Sequence, residues 1–133
     1  MEVIKNLSEI ENCPIEVTLE IVGKKWSINI IRDLFKRKTR FSEFLESNPQ
    51  LSTKMLSLRL KELQKFNIIK KTVKSTTPVK IEYNLTKTGK DLNKILFYLA
   101  EFSLRNYPNE VYTKKSRSIE SDISNLRKIF HIT

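Results

Sequence analysis

The stretch Leu51-Ser52-Thr53-Lys54-Met55-Leu56-Ser57-Leu58-Arg59-Leu60-Lys61-Glu62-Leu63-Gln64-Lys65 decides how the chain is read. Leu56, Leu60 and Leu63 recur at helical spacing, and Ser52 stands where an N-cap belongs. With those leucines turned to a core, Lys54, Ser57, Leu58, Lys61 and Lys65 fall on the opposite face, and Thr53 sits in the exposed first turn. A helix that buries leucine and displays lysine and small hydroxyls suits a phosphate-rich partner. Lysine holds phosphates or guanine, and Ser or Thr reaches either the backbone or base edges, so Ser52 and Thr53 are counted with this DNA-binding set. Leu58 has two readings: contact with a thymine methyl, or a scattered surface apolar residue, which is common. The helix ends near Phe66-Asn67, where asparagine tolerates a left-handed conformation.

Downstream, Ile69 to Lys74 and Val79 to Leu85 are rich in β-branched residues, with Ser75-Thr76-Thr77-Pro78 between them. That pattern predicts a β-hairpin with a polar tip. Thr86 can cap a long helix over roughly residues 87–106. Upstream, Val3, Ile4, Leu7 and Ile10 predict a short helix. Pro14 then opens another, with Ile15, Leu19 and Val22 on one face and Gly23 at its end. Trp26, Ile30, Ile31 and Leu34 mark the next, and Phe41, Phe44 and Leu45 a short one closed by Asn48-Pro49. The order of elements is that of a winged helix-turn-helix, an α+β fold, mainly α, whose hairpin is the wing. In that fold the helix before the recognition helix crosses the DNA backbone. Arg40 and Ser42, at its start, combine a cation with a helix N-terminus suited to phosphate. Lys74 and Lys80 are the cations of the wing. Any one of these lysines also reads as a solvated side chain; their weight lies in sharing one face.

Length and composition bound the alternatives. The 133 residues suit one domain with a core of its own. No apolar run approaches a membrane span, and Met1-Glu2-Val3-Ile4-Lys5 lacks a signal-peptide layout, so a cytoplasmic location without a membrane partner is expected. Cys13 is the sole cysteine and His131 the sole histidine. A metal site or a nucleophilic triad would need more, so no metal, no cofactor and no enzyme activity are expected. The net charge is +10. Residues 24–40 hold seven bases against one acid, and residues 52–80 hold eight against one. Those two segments together exceed the whole-chain charge, which fits one anion-binding face. An ordinary lysine-rich surface fits the total equally well.

The quoted segments resemble the HxlR family of winged-helix transcription regulators. They are Cys13-Pro14-Ile15-Glu16, Gly23-Lys24-Lys25-Trp26, Phe41-Ser42-Glu43-Phe44-Leu45, Leu51 to Leu56, Leu60-Lys61-Glu62-Leu63 and Pro78 to Thr86, ending with Gly89. The resemblance spans about residues 12–106 and keeps order and spacing. It implies a cytoplasmic homodimer on a roughly palindromic double-stranded operator near a promoter. The recognition helix maps to residues 52–65 and the wing to residues 73–81. Dimer contacts come from the N-terminal helix (Leu7, Ile10) and the long helix after the wing (Leu96, Leu99, Phe102). Residues 95–104 agree, being apolar nearly all round, as a helix with two partners must be. The chain departs from the family at Lys24, where a second glycine is usual, and at Asn67, where a glycine usually ends the recognition helix.

The chain is expected to divide into a winged helix-turn-helix domain over 1–106 and a linker with a C-terminal helix over 107–133. The stripe Ile119, Ile123, Leu126, Ile129 and Phe130 is assigned to further dimer contact. Some members of the family sense oxidants or electrophiles through the cysteine that Cys13 matches. A thiol at a helix N-terminus is activated, yet a small packing residue is the simpler reading. Two further functions compete with specific regulation: a winged helix for protein–protein contact, and nonspecific DNA binding.

Overall fold

The computed structural model describes residues 6, 10–114 and 118–133. Leu7 and the rest of the first predicted helix lie outside the described residues, apart from a half-buried Ile10 in a bend. Helix α1 (Pro14–Val22) begins with Pro14 at its first position, where a missing N–H costs nothing, and Gly23 closes it. Then come α2 (Ser27–Phe35), α3 (Phe41–Ser47) and α4 (Thr53–Lys65). The hairpin β1 (Ile69–Thr76) and β2 (Val79–Leu85) follows, and after it α5 (Lys87–Lys90), α6 (Asn93–Asn106), α7 (Pro108–Val111) and α8 (Ile119–Ile129).

One core joins them. Ile30, Ile31, Leu34 and Phe35 from α2 meet Phe44, Leu56, Leu60 and Leu63 from the helix-turn-helix, Ile69 and Tyr83 from the hairpin, and Leu96, Phe97 and Leu104 from α6. The antiparallel strands pair Ile69 with Leu85 and Thr76 with Val79, with a register shift at Lys74. The tip is therefore only Thr77-Pro78, shorter than the four-residue tip the sequence suggests.

The chain has two glycines, and apart from α1 several of its helices close on other residues. After α4, Asn67 takes φ 60°, Ile68 N–H donates to Leu63 O (2.9 Å) and Asn67 N–H to Gln64 O (3.0 Å). This is a Schellman closure, and Asn67 takes the left-handed position as expected. Arg37 after α2 and His131 after α8 close their helices in the same way.

Three further features differ from expectation. The helix over 87–106 is two helices, because the ladder tightens at Asp91-Leu92, where Leu92 N–H donates to Gly89 O three residues back. The segment 107–118 contains α7. The α8 stripe is spent within the chain: Ile123 and Phe130 are buried, Phe130 packs edge-on against Phe35 (5.3 Å), and Asn93 donates to Phe130 O (2.8 Å). Arg127 lies over the Phe97 ring. The stripe thus closes the α2–α6 side of the core. No helix among the described residues is long and apolar enough to cross a membrane.

Candidate nucleic-acid interface

Helix α4 is anchored on one side and open on the other. Leu56, Leu60 and Leu63 are fully buried. Ser52 caps the helix, its Oγ accepting from Met55 N–H (3.1 Å), and so spends its hydroxyl on the backbone. Thr53, Lys54, Ser57, Leu58, Lys61 and Lys65 are all exposed, as the helical spacing predicts. None of the three lysines enters an ion pair among the described residues.

The remaining base of α4 plays a different part. Arg59 is largely buried; its Nε donates to Lys25 O (2.8 Å) and its Nη1 to both Glu62 oxygens. Lys24 meets the same Glu62 at 3.3 Å. Glu62 and Arg59 therefore tie α4 to the turn between α1 and α2. Charge counting cannot separate this structural base from the free ones; its place beside the leucines on the helical wheel is the only sign.

The preceding helix presents Arg40 at its N-cap and Ser42 in its first turn, both exposed. Glu43 Oε1 accepts from Arg40 N–H (3.0 Å) and Thr39 N–H (3.2 Å), which fixes this start. The same carboxylate lowers the positive potential there, so the Arg40 side chain carries the phosphate reading more than the helix terminus does.

The turn between α3 and α4 rests on a polar cluster that the sequence reading missed. Asp33 is fully buried and Asn48 nearly so. Asn48 Nδ2 donates to Asp33 Oδ2 (2.9 Å) and Phe44 O (2.8 Å), while Arg32 donates to Asp33 Oδ1 and Asn48 Oδ1. A buried carboxylate survives only when paired and hydrogen-bonded. Here it holds Asn48, whose carbonyl accepts from Leu51 N–H (2.9 Å) and so sets where α4 starts. The available signal was Asp33 lying among Ile30, Ile31 and Leu34.

The wing is seated at both ends. Tyr83 N–H donates to Thr39 O (2.8 Å), and the Tyr83 ring meets Phe44 edge-on. Burial pushes the Tyr83 phenol up, so the ring stays neutral. At the base, Thr86 N–H and Oγ1 both bond Ile68 O. Gly89 lies so close that a Cβ would stand 2.1 Å from Ile68 O. Lys80 is exposed and in no ion pair among the described residues, whereas Lys74 faces Glu82 at 3.8 Å and is partly neutralised.

The residues assigned to dimer contact divide. Leu96 is 4% exposed, turned into its own core, because it lies on the α6 face that also carries Phe97 and Leu104. Leu99 (53%) and Phe102 (59%) are open, and Ile95 and Tyr98 join them on the face opposite the core. Ile15 and Leu19 of α1 form a second exposed apolar pair, absent from the sequence assignment. Cys13, half-buried, precedes α1, and Val17 N–H bonds its carbonyl.

A capped helix on a leucine base, a fixed turn before it and a hairpin seated beside it make a winged helix-turn-helix. Residues 21–111 match the HxlR-like helix-turn-helix family, and the chain belongs to it. The uncharacterized HTH-type transcriptional regulator YdeP of Bacillus subtilis is 35% identical over 94 residues, 71% of this chain and 73% of YdeP. The crystal structure of the HTH-type transcriptional regulator YtcD superposes with a TM-score of 0.65 at 35% identity, over 69% of this chain and 94% of that one. The oxidized redox regulator HypR superposes with a TM-score of 0.63 at 34% identity, over 71% and 97%. The chain is a transcription regulator of this class and not an enzyme.

Proposed function

We propose that the chain acts in the cytoplasm as a homodimer on a specific double-stranded operator near a promoter. Helix α4 enters the major groove, with Lys54, Ser57 and Lys61 toward bases and phosphates and Thr53, Leu58 and Lys65 at the margins. Arg40 and Ser42 hold the adjacent phosphates. The hairpin lies along the flanking backbone or minor groove, with Lys80 as its main cation and Lys74 as a lesser one. The observation that carries this reading is the free lysine–serine face opposite three fully buried leucines. A protein-docking winged helix would not leave unpaired lysines there.

The second subunit follows from α6. Its outer stripe of Ile95, Tyr98, Leu99 and Phe102 is a contiguous apolar face of the sort that marks an interface. Two-fold pairing through it presents two recognition helices to a palindromic site. Cys13 is a candidate thiol sensor in this arrangement, given the likeness to a redox regulator. Operator affinity that falls on oxidation in wild type but not in Cys13→Ser supports that role; an unchanged affinity leaves Cys13 as packing.

Fluorescence anisotropy with the protein's own upstream DNA and a scrambled duplex tests the whole. A preference of about a thousandfold at near-physiological salt is expected of a specific regulator. Equal affinity with a steep salt dependence would mean nonspecific binding. Binding to neither would favour protein docking.

A further inference from the structure

Away from the exposed face of α4, α2, α6 and α8 border an open-sided cavity of about 470 Å³. Small-molecule sites run from about 300 to 1,000 Å³. Leu96, Leu99 and Ala100 wall it from α6, and Leu126, Ile129 and Phe130 from α8. From α2 come Ile28 and Arg32, and from its C-cap Lys36, one row at four-residue spacing. Among the described residues the lining holds no carboxylate, and its charged groups are two cations, Arg32 on α2 and Lys36 at its C-cap. Arg32 Nε and Nη2 are engaged by Asp33 and Asn48, but Nη1 has no protein acceptor among the described residues, and Lys36 has no ion pair there. Helix α8 lies beyond the matched residues 21–111, so the cavity combines the family domain with a C-terminal helix outside it.

We propose that this cavity binds a small amphipathic monoanion, a carboxylate on an aliphatic body. The body lies against Leu96, Leu126, Ile129 and Phe130. The carboxylate accepts from Arg32 Nη1 and from Lys36 Nζ, a charge-assisted pair that an apolar wall strengthens. The site reaches the DNA-binding half through one residue. Arg32 also donates to Asn48, which sets the start of α4. A carboxylate held on Nη1 draws the guanidinium toward the cavity and away from Asn48 Oδ1, which Nη2 serves, so the ligand loosens the turn and lowers operator affinity. That coupling rests on the DNA-binding reading above; binding itself does not.

Calorimetric titration of the full chain with octanoate and with octan-1-ol tests the site. Octanoate is expected to bind once per chain and at least about tenfold more tightly than the alcohol, the contribution of a hydrogen-bonded charge. Lys36→Glu, at an exposed position that leaves folding intact, weakens octanoate by a similar factor. Ala100→Phe fills the cavity and removes binding. No octanoate binding, equal binding of the alcohol, or full binding by folded Ala100→Phe would overturn the proposal. Octanoate that binds without lowering operator affinity overturns the coupling alone. Octanoate binding by a chain that ignores its operator contradicts the DNA reading and leaves the site standing.

Discussion

Helices α4 and α6 are nearly equal in length, thirteen and fourteen residues, and each buries three large apolar side chains on one face. They differ in what is left outside. Apart from Leu58, helix α4 shows water lysine, serine and threonine, groups that water satisfies and DNA can replace. Helix α6 shows Ile95, Tyr98, Leu99 and Phe102, groups that water does not satisfy. The comparison teaches that α4 leaves outside mainly groups that water satisfies, whereas α6 leaves a contiguous apolar stripe, the feature on which the proposed dimer rests.

The largest test breaks α6. Phe102→Glu puts a carboxylate in the open stripe while leaving the core face untouched. Sedimentation is expected to show a monomer, and operator affinity to fall by about a hundredfold or more, since the second half-site is no longer bound intramolecularly. A persistent dimer would mean that the stripe is not the interface. The next test attacks the joint between the two helices. Gly89→Ala drives a Cβ into Ile68 O at the junction of α4, the hairpin and α5. Urea denaturation should show a loss of about 2–3 kcal/mol.

Substitutions on α4 act on binding alone. Lys54→Ala or Lys61→Ala should each weaken the operator complex by about 1 kcal/mol and shallow its salt slope by about one unit if the lysine holds a phosphate. Ser57→Ala should relax sequence preference, and Lys80→Ala should weaken all duplexes alike. Melting temperatures unchanged in the three α4 variants would confirm that α4 is structurally complete without those side chains, and Lys80→Ala on β2 should be equally silent. The smallest effect is on the closure of α4. Asn67→Gly relieves a left-handed non-glycine residue and should add about half a kcal/mol of stability without altering DNA affinity.

Much of this division was legible from periodicity. The spacing of Leu56, Leu60 and Leu63 told which face of α4 was free, and the all-round apolar pattern of residues 95–104 told that α6 carries apolar groups beyond its core face. Two matters were not legible, for different reasons. Leu96, Leu99 and Phe102 look alike in sequence, and only the exact rotation of α6 sends Leu96 inward. The stripe of α8 shows that a face will be buried but not against which chain, and the chain's own α2 and α6 supply the surface. The Arg32–Asp33–Asn48 cluster escaped because Asn48 lies fifteen residues beyond Asp33 and meets it only after α2 and α3 pack.

The central claim is that two copies of α4 read a two-fold site. Hydroxyl-radical footprinting on the upstream DNA tests it most directly. The account predicts two protected patches related by a dyad and spaced by about one helical turn or a multiple of it, both lost with Phe102→Glu. A single patch, or uniform protection along the duplex, would contradict it.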